Sequence, residues 1–339
     1  MEHLAIDLGG RESQVCIRSD KGEILVEQRV PTRKLDELLA RRPPSRVIVE
    51  TCAEAFGIAD EAMRLGHQVR VVPASLVKQL GVGERGIKTD VRDSRKLSEL
   101  SCRIELPSVH IPKKESRERK SMCGMREALV RCRTLLINSV RGWLRQTGRR
   151  PRSGGADSFA PRVRTALTLQ PTPAYVEQQL ESIELLTKQI RRADREVERL
   201  AKADPLCRRL MTVPGVGPVT ALRFVAALDE IGRFSSVHRA ESYVGLVPGE
   251  HSSSDSKHRT GITKAGSSEL RCMLVQSAWA ALRCRRVDPM QTWAREIERR
   301  RGKRIAIVAL ARKLCGILFA LWRDGSTYQP ARSAAAQTQ

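Results

Sequence analysis

Two short apolar runs, each ending in a carboxylate, constrain the fold of this 339-residue chain more than any other feature. Leu4-Ala5-Ile6-Asp7 opens the chain and runs into Gly9-Gly10, and Arg46-Val-Ile-Val-Glu50 repeats the pattern further on. Between them Ser13 to Ser19 alternates apolar and polar residues, Asp20-Lys21-Gly22 supplies a turn, and Ile24 to Val30 reads as another strand. Leu35 to Arg41 reads as a helix stopped at Pro43-Pro44. Ala55 to Leu65 then reads as a helix, Gln68 to Val72 as a strand and Lys88 to Leu100 as a helix. Three strands, helix, strand, helix, strand, helix is the order of an α/β RNase H-like sheet that begins as an antiparallel meander.

In such a sheet the strands ending at Asp7 and Glu50 are neighbours, so the two acids gather at one end. Asp90 and Asp93 are three apart on a predicted helix and share a face. Four clustered carboxylates repel one another unless cations compensate them. Hard oxygen donors of this kind suit Mg²⁺ or Mn²⁺. Two such ions about 4 Å apart would activate an attacking oxygen and stabilise a leaving one in phosphodiester chemistry. The bland alternative makes Asp90 a helix cap and Asp93 a surface charge. A sugar-kinase-like ATPase also begins with a strand ending in Asp and glycines, but its second Asp-x-Gly phosphate loop is missing after Glu50.

Charge separates the chain into two parts. Residues 1–100 carry 17 Lys/Arg against 16 Asp/Glu, whereas residues 101–339 carry 44 against 22, which holds nearly all of the net +23. That asymmetry predicts a polyanion-binding body attached to a domain that needs its acids. Nine cysteines, an odd number with no Cys-x-x-Cys, point away from a disulfide framework or a structural zinc site. The N-terminus lacks the basic and apolar regions of a signal peptide, and no apolar run of transmembrane length is evident. The expectation is a cytoplasmic, nucleoid-associated protein with no membrane partner.

From Ser101 to Ser153 there are fourteen basic residues against four acidic ones, with helical stretches around Met122–Leu144 and a break at Arg149–Gly155. Arg141, Arg145 and Arg149 are the candidate nucleic-acid contacts of this region. From Val176 a heptad follows, with Val176, Ile183, Ile190 and Val197 at one position and Gln179, Leu186, Ala193 and Leu200 at the other. It fits a coiled coil, within the chain or between two chains, and equally an amphipathic helix packed on its own domain. The expected division is a catalytic domain over 1–104, a basic helical and coiled-coil region over 105–205, a mainly helical domain over 206–325 and a disordered tail over 326–339.

Pro214-Gly-Val-Gly-Pro218 resembles the hairpin of a helix-hairpin-helix element, in which Gly215 and Gly217 would let the backbone approach a phosphate. A simple loop before a core helix is the other reading. The stretch from Gly249 to Gly261 reads as a polar loop, with hydroxyls at 252–254 followed by Lys257, Arg259 and Lys264. A serine among cations near DNA could serve as a nucleophile. The two histidines here, His251 and His258, have no useful ligand spacing with any Cys.

Taken in order, these motifs resemble the DEDD transposases of the IS110/IS1111 insertion sequences, which are similar to pilin-gene DNA invertases. The matching segments are Ala5-Ile-Asp7-Leu-Gly, Val47-Ile-Val-Glu50, Lys88-Thr-Asp90-Val-Arg-Asp93-Ser, Val213 to Pro218, Tyr243 to Pro248, His251-Ser-Ser253 and Gly261 to Gly266. The resemblance covers about nine-tenths of the chain. It implies a RuvC-like N-terminal domain, a coiled-coil connector and a C-terminal transposase domain with a catalytic serine. It also implies dimers pairing into tetramers, an active site shared between subunits, donor and target DNA as substrates, and guidance by a structured bridge RNA. Asp7, Glu50, Asp90 and Asp93 fall on the family's four acids, and Ser253 falls on its serine, with Ser252 a lesser candidate. Ser254 stands where the family usually has glycine. A RuvC-like endonuclease that only hydrolyses DNA, or a non-catalytic nucleic-acid-binding protein, are the rival expectations.

Overall fold

The computed structural model describes residues 1–79, 90–167, 172–253, 256–285 and 288–330, and the chain divides into two compact units, 1–112 and 113–339. In the first unit the strands are β1 (His3–Asp7), β2 (Glu12–Arg18), β3 (Ile24–Pro31), β4 (Arg46–Glu50) and β5 (Gln68–Val72), and the helices are α1 (Leu35–Ala40), α2 (Ala55–Arg64), α3 (Ala74–Gln79) and α4 (Asp90–Arg103). The five strands form one mixed sheet in the order β3-β2-β1-β4-β5. β1 pairs antiparallel with β2 and parallel with β4, so the meander and the crossover strands meet at the centre.

Alternation along the strands decides which helix covers which face. Leu4, Ile6, Val15, Ile17, Val47, Val49 and Val71 pack against Leu35 and Leu39 of α1 and Ala55, Ala59 and Ala62 of α2. The intervening residues Ala5, Ile48 and Val72 pack on the other face with Val77 and Leu97. The small alanines of α2 let that helix lie close to the sheet. Each fully buried large aliphatic contributes about 1.5–3 kcal/mol. The turn after β1 is fixed by polar contacts: Ser13 Oγ meets Thr32 Oγ1 at 2.8 Å, and Thr32 Oγ1 donates to the Gly9 carbonyl at 2.7 Å. A Cβ at Gly9 would collide with the Glu12 carbonyl, so only glycine fits directly behind Asp7-Leu8.

The second unit contains α5 (Lys114–Gln146), α6 (Phe159–Ala166), α7 (Ala174–Ala203), α8 (Pro205–Leu210), α9 (Pro218–Leu228), α10 (Val237–Val244), the hairpin β6 (Pro248–Ser253) and β7 (Ser256–Ile262), α11 (Ser268–Arg283), α12 (Pro289–Arg301) and α13 (Lys303–Asp324). α5 and α7 lie side by side. They run antiparallel, because Arg119 reaches Asp204 at 2.7 Å, Arg126 reaches Asp194 at 2.6 Å and Arg133 reaches Thr187 at 3.3 Å. Further along, Ile137, Val140 and Leu144 pack with Val176, Leu180 and Ile183.

The buried row of α7 departs from the expected heptad in one respect. Val176, Ile183, Ile190 and Val197 are buried, but the companion row is Leu180, Thr187 and Ala201 instead of Gln179, Leu186 and Leu200. The shift by one has a polar cause. Thr187 and Asp194 occupy seam positions and are met by arginines of α5 spaced seven apart, so hydrophobicity alone points to the wrong neighbour. The partner helix is α5 of the same unit.

The larger core is built from α8–α13 and the end of α7, around Phe224, Leu274, Leu310, Leu314 and Phe319. One helix here corrects the expectation that no run has transmembrane length: α13 is long and apolar enough by composition. About half of its most apolar window is buried within the unit, as expected of a central core helix.

Candidate active site

Asp7 and Glu50 end β1 and β4. The parallel register pairs Ile6 with Val49, so the two acids are the next residues along on adjacent strands. Neighbouring strands lie about 4.8 Å apart. Alternation places Asp7 on the face of Ala5 and Glu50 on the face of Ile48, which is the face covered by α4. Both side chains are half-buried.

α4 runs antiparallel to β1 across this face. Ser101 Oγ meets His3 Nδ1 at 2.7 Å, and Ser98 Oγ meets Cys16 Sγ at 3.3 Å, where Cys16 is the strand partner of Ala5. From Ser101 back to Asp93 is eight residues, about 12 Å of helix. From His3 to Asp7 is four residues, about 13 Å of strand. Asp93 therefore stands at the level of Asp7, on the sheet-facing row with Leu97, and is 2% exposed. Asp90 is the first residue of α4, one turn ahead, and its side chain lies outside the described residues.

Gln14 was not legible as a site residue. It is the strand partner of Asp7, on the same face, and is 6% exposed. The signal was its two-residue spacing from Cys16, which puts it on the acids' face once the register is known.

Among the described residues no three His, Cys, Asp or Glu side chains come together closely enough to hold a metal ion. The donor chemistry nevertheless suits a hard divalent cation: Asp7, Glu50 and Asp93 offer carboxylate oxygens only, from three adjoining elements at one end of one sheet face.

The expected polar loop at 249–261 is a β-hairpin. β6 and β7 pair antiparallel, with His251 opposite His258, Ser252 opposite Lys257 and Ser253 opposite Ser256. Ser253 is thus the last strand residue before the two-residue connection 254–255, which lies outside the described residues together with the side chains of 251–259, including those of Ser253, Lys257 and Arg259.

The base of the hairpin explains the flanking glycines. Gly245 and Gly266 both have positive φ, 76° and 71°, and each sits against the backbone of the opposite segment, Ala265 and Tyr243 respectively. Arg271 ties the two segments, donating to the carbonyls of Val244 at 2.9 Å and Ala265 at 2.6 Å. Lys264 is exposed and itself held at φ 56°.

The remaining candidates are scattered over the second unit. Gly215 has φ 85°, and the position of its missing Cβ is filled by the backbone of α11 at Ser277 and Ala281, so close helix approach accounts for this glycine. Gly217 caps α9 and has open space around it. Arg141 and Arg145 are exposed on the last turns of α5, and Arg149 follows, half-buried. The Arg141 guanidinium lies 5.5 Å from the Phe159 ring centroid.

A mixed sheet of this order, bearing acids at one end and joined to a strongly basic helical body, defines an RNase H-like polynucleotide-processing enzyme. A family model for the DEDD transposase domain of IS110 elements matches residues 4–148, and the model of the transposase IS116/IS110/IS902 family matches residues 207–293. The chain belongs to the IS110/IS1111 family of transposases, enzymes that cut and rejoin DNA. It is 27% identical to a probable family 20 transposase of Pseudomonas aeruginosa, over 97% of this chain and 99% of that protein. It is 29% identical to the transposase for insertion sequence element IS1111A of Coxiella burnetii, over 96% and 91%, and 27% identical to that for IS1328 of Yersinia enterocolitica, over 96% and 98%.

Proposed function

We propose that this transposase cuts DNA with Asp7, Glu50, Asp90 and Asp93 as ligands of Mg²⁺ or Mn²⁺ and with Ser253 as nucleophile. The observation that carries the reading is the placement of Asp7, Glu50 and Asp93 at one end of one sheet face. When bound, the metal would supply Lewis acidity toward the phosphate oxygens. Within this reading Ser253 Oγ attacks phosphorus. The Ser253 Oγ–P bond forms, the bond from phosphorus to the leaving sugar oxygen breaks, the serine proton passes to solvent and the sugar oxygen takes up a proton. The phosphoserine ester conserves the bond energy for rejoining, where hydrolysis would lose it. The hairpin supports the assignment by putting Ser253 beside the connection between two strands, with Lys257, Arg259 and Lys264 as candidate holders of flanking phosphates.

The acids and the hairpin belong to different units of the chain. A site shared between subunits, in a homodimer pairing into a tetramer, is consistent with that division, and the exposed side of the α5–α7 pair is the candidate coiled-coil contact. A structured bridge RNA is the proposed guide, held by Arg141, Arg145, Arg149 and the Gly217 backbone of a cytoplasmic, nucleoid-associated protein. The three-part functional division at about 104 and 205 is retained as part of this reading.

The test is recombination on a plasmid carrying both element ends. Asp7→Ala, Glu50→Ala, Asp90→Ala and Asp93→Ala should abolish it while DNA binding persists, and chelation of divalent metal should do the same. Full activity in Glu50→Ala would remove the metal-site assignment. Sequencing the co-purifying nucleic acid tests the guide: one abundant element-derived RNA is expected, and random fragments would contradict it.

A further inference from the structure

Trp279 on α11 packs in part against the large core and lines an open depression of about 460 Å³ with Gln276, Ala280 and Arg283. Two cations from different elements flank its ring. Arg283 Cζ, at the end of α11, is 5.8 Å from the centroid, and Lys303 Nζ, at the start of α13, is 5.3 Å from it. Between Arg283 and Arg304 the sequence holds nine Lys/Arg against three Asp/Glu. One of those acids, Asp288, is 2% exposed and already engaged, accepting from the Met290 amide at 2.9 Å and the Tyr328 hydroxyl at 2.9 Å.

Several arginines of the unit are tied to carboxylates, as Arg119, Arg126 and Arg164 are. Arg299, Arg300, Arg301 and Arg304 are exposed and make no ion pair among the described residues. Positive charge, from Arg283 and Lys303, therefore stands beside a part-exposed indole whose neighbouring chain segments are rich in cations.

A basic patch alone binds any polyanion. An indole with two cations at its ring adds a flat π-surface on which a nucleobase can stack, while the cations hold the adjoining phosphates. The Gln276 carboxamide, exposed at the rim, offers both a donor and an acceptor to a base edge. A paired base is stacked inside its duplex and has no free face to present. We propose that Trp279, Arg283 and Lys303 form a stacking site for one unpaired nucleotide of a single-stranded polynucleotide. The base lies on Trp279, and the two side chains swing from the ring to the adjoining phosphates. This rests on the nucleic-acid-binding reading of the basic unit and deepens it.

The experiment measures binding of the full-length protein to four labelled oligonucleotides of one sequence: single-stranded DNA, the same strand with abasic positions, RNA, and duplex DNA. Trp279→Ala should weaken single-strand binding about tenfold, and Trp279→Phe should retain most of it. Abasic and duplex binding should be unchanged. Loss on RNA alone assigns the site to a guide-type strand, loss on DNA alone to unpaired element DNA, and loss on both to either. Should Trp279→Ala lower the melting temperature, Arg283→Gln with Lys303→Gln replaces it. That variant should weaken single-strand binding and reduce its salt slope by about two. Equal binding by the Trp279→Ala and wild-type proteins, or an equal loss on the abasic strand and the duplex, overturns the proposal. Failure of the wild type to bind duplex, with Trp279-dependent single-strand binding intact, would count against the broader reading and for this site.

Discussion

Gly266→Ala should destabilise the second unit while leaving the first intact, and the size of the effect follows from the geometry. At φ 71° an L-residue costs about 1–2 kcal/mol. A Cβ there falls well inside the 3.0 Å that real contacts respect, against the Tyr243 carbonyl, so the 243–248 and 261–266 segments must separate. Separation breaks the Lys264 amide to Gly245 carbonyl bond of 3.2 Å and loosens the Arg271 donations to Val244 and Ala265. A neutral hydrogen bond contributes about 1 kcal/mol and a charged one about 1.5–3. With the loosened Arg271 donations counted as one charged bond, the sum is about 3.5–6 kcal/mol, a large part of the 5–15 kcal/mol typical of a domain. All four tryptophans, at 143, 279, 293 and 322, lie in the second unit, so urea unfolding followed by indole fluorescence reports on it alone. Gly261→Ala, with open space around it, is the matched control and should change stability by less than about 1 kcal/mol. A loss in Gly266→Ala no greater than that of the control would refute the account of the hairpin base.

Three further outcomes are expected. Arg133, 9% exposed and bonded to Asp157 at 2.5 Å, ties α5 to the segment before α6 as well as to α7. Arg133→Ala should lower the urea midpoint by an equivalent of about 2–3 kcal/mol, and Arg133→Met should recover at least half of that. Burial pushes the Cys207 thiol up to about 12. The unfolded thiol ionises near 9, so this contribution is intact below about pH 9 and is lost as pH rises toward 12. Cys207→Ala should show a shallower alkaline decline in melting temperature. Charge reversal at Arg141, Arg145 and Arg149 should weaken nucleic-acid binding and flatten its salt dependence. An unchanged slope would shift that role to the cations between Arg295 and Arg304.

The N-terminal sheet was legible because β-branched runs such as Val47-Ile-Val49 announce buried strands, and because Asp7 and Glu50 end theirs. Knowing the register then added Gln14, which no local pattern marks. In sequence the β6–β7 hairpin looks like a loop because Glu250-His-Ser-Ser253 and Ser256-Lys-His-Arg259 have no apolar row. Its order comes from strand pairing and from the glycines at its base, which pattern reading registers only as motif letters. Gly215 illustrates the same limit. A phosphate-binding turn and a close helix contact call for the same residue, and the backbone of α11 filling its Cβ position favours the latter. In α7 hydrophobicity alone places the companion row one position off, because Thr187 and Asp194 stand where apolar residues would mark it. The arginines at 119, 126 and 133, spaced seven apart on α5, carried the missing information.

The most direct test of the proposed two-part active site is a denaturing gel of the purified transposase incubated with labelled element-end DNA and Mg²⁺. The account predicts a covalent protein–DNA adduct in the wild type that disappears in Ser253→Ala and, separately, in Asp93→Ala, with DNA binding retained in both. An adduct of undiminished yield in Ser253→Ala would contradict it, and its concurrent loss in Ser252→Ala would move the nucleophile one residue back along β6.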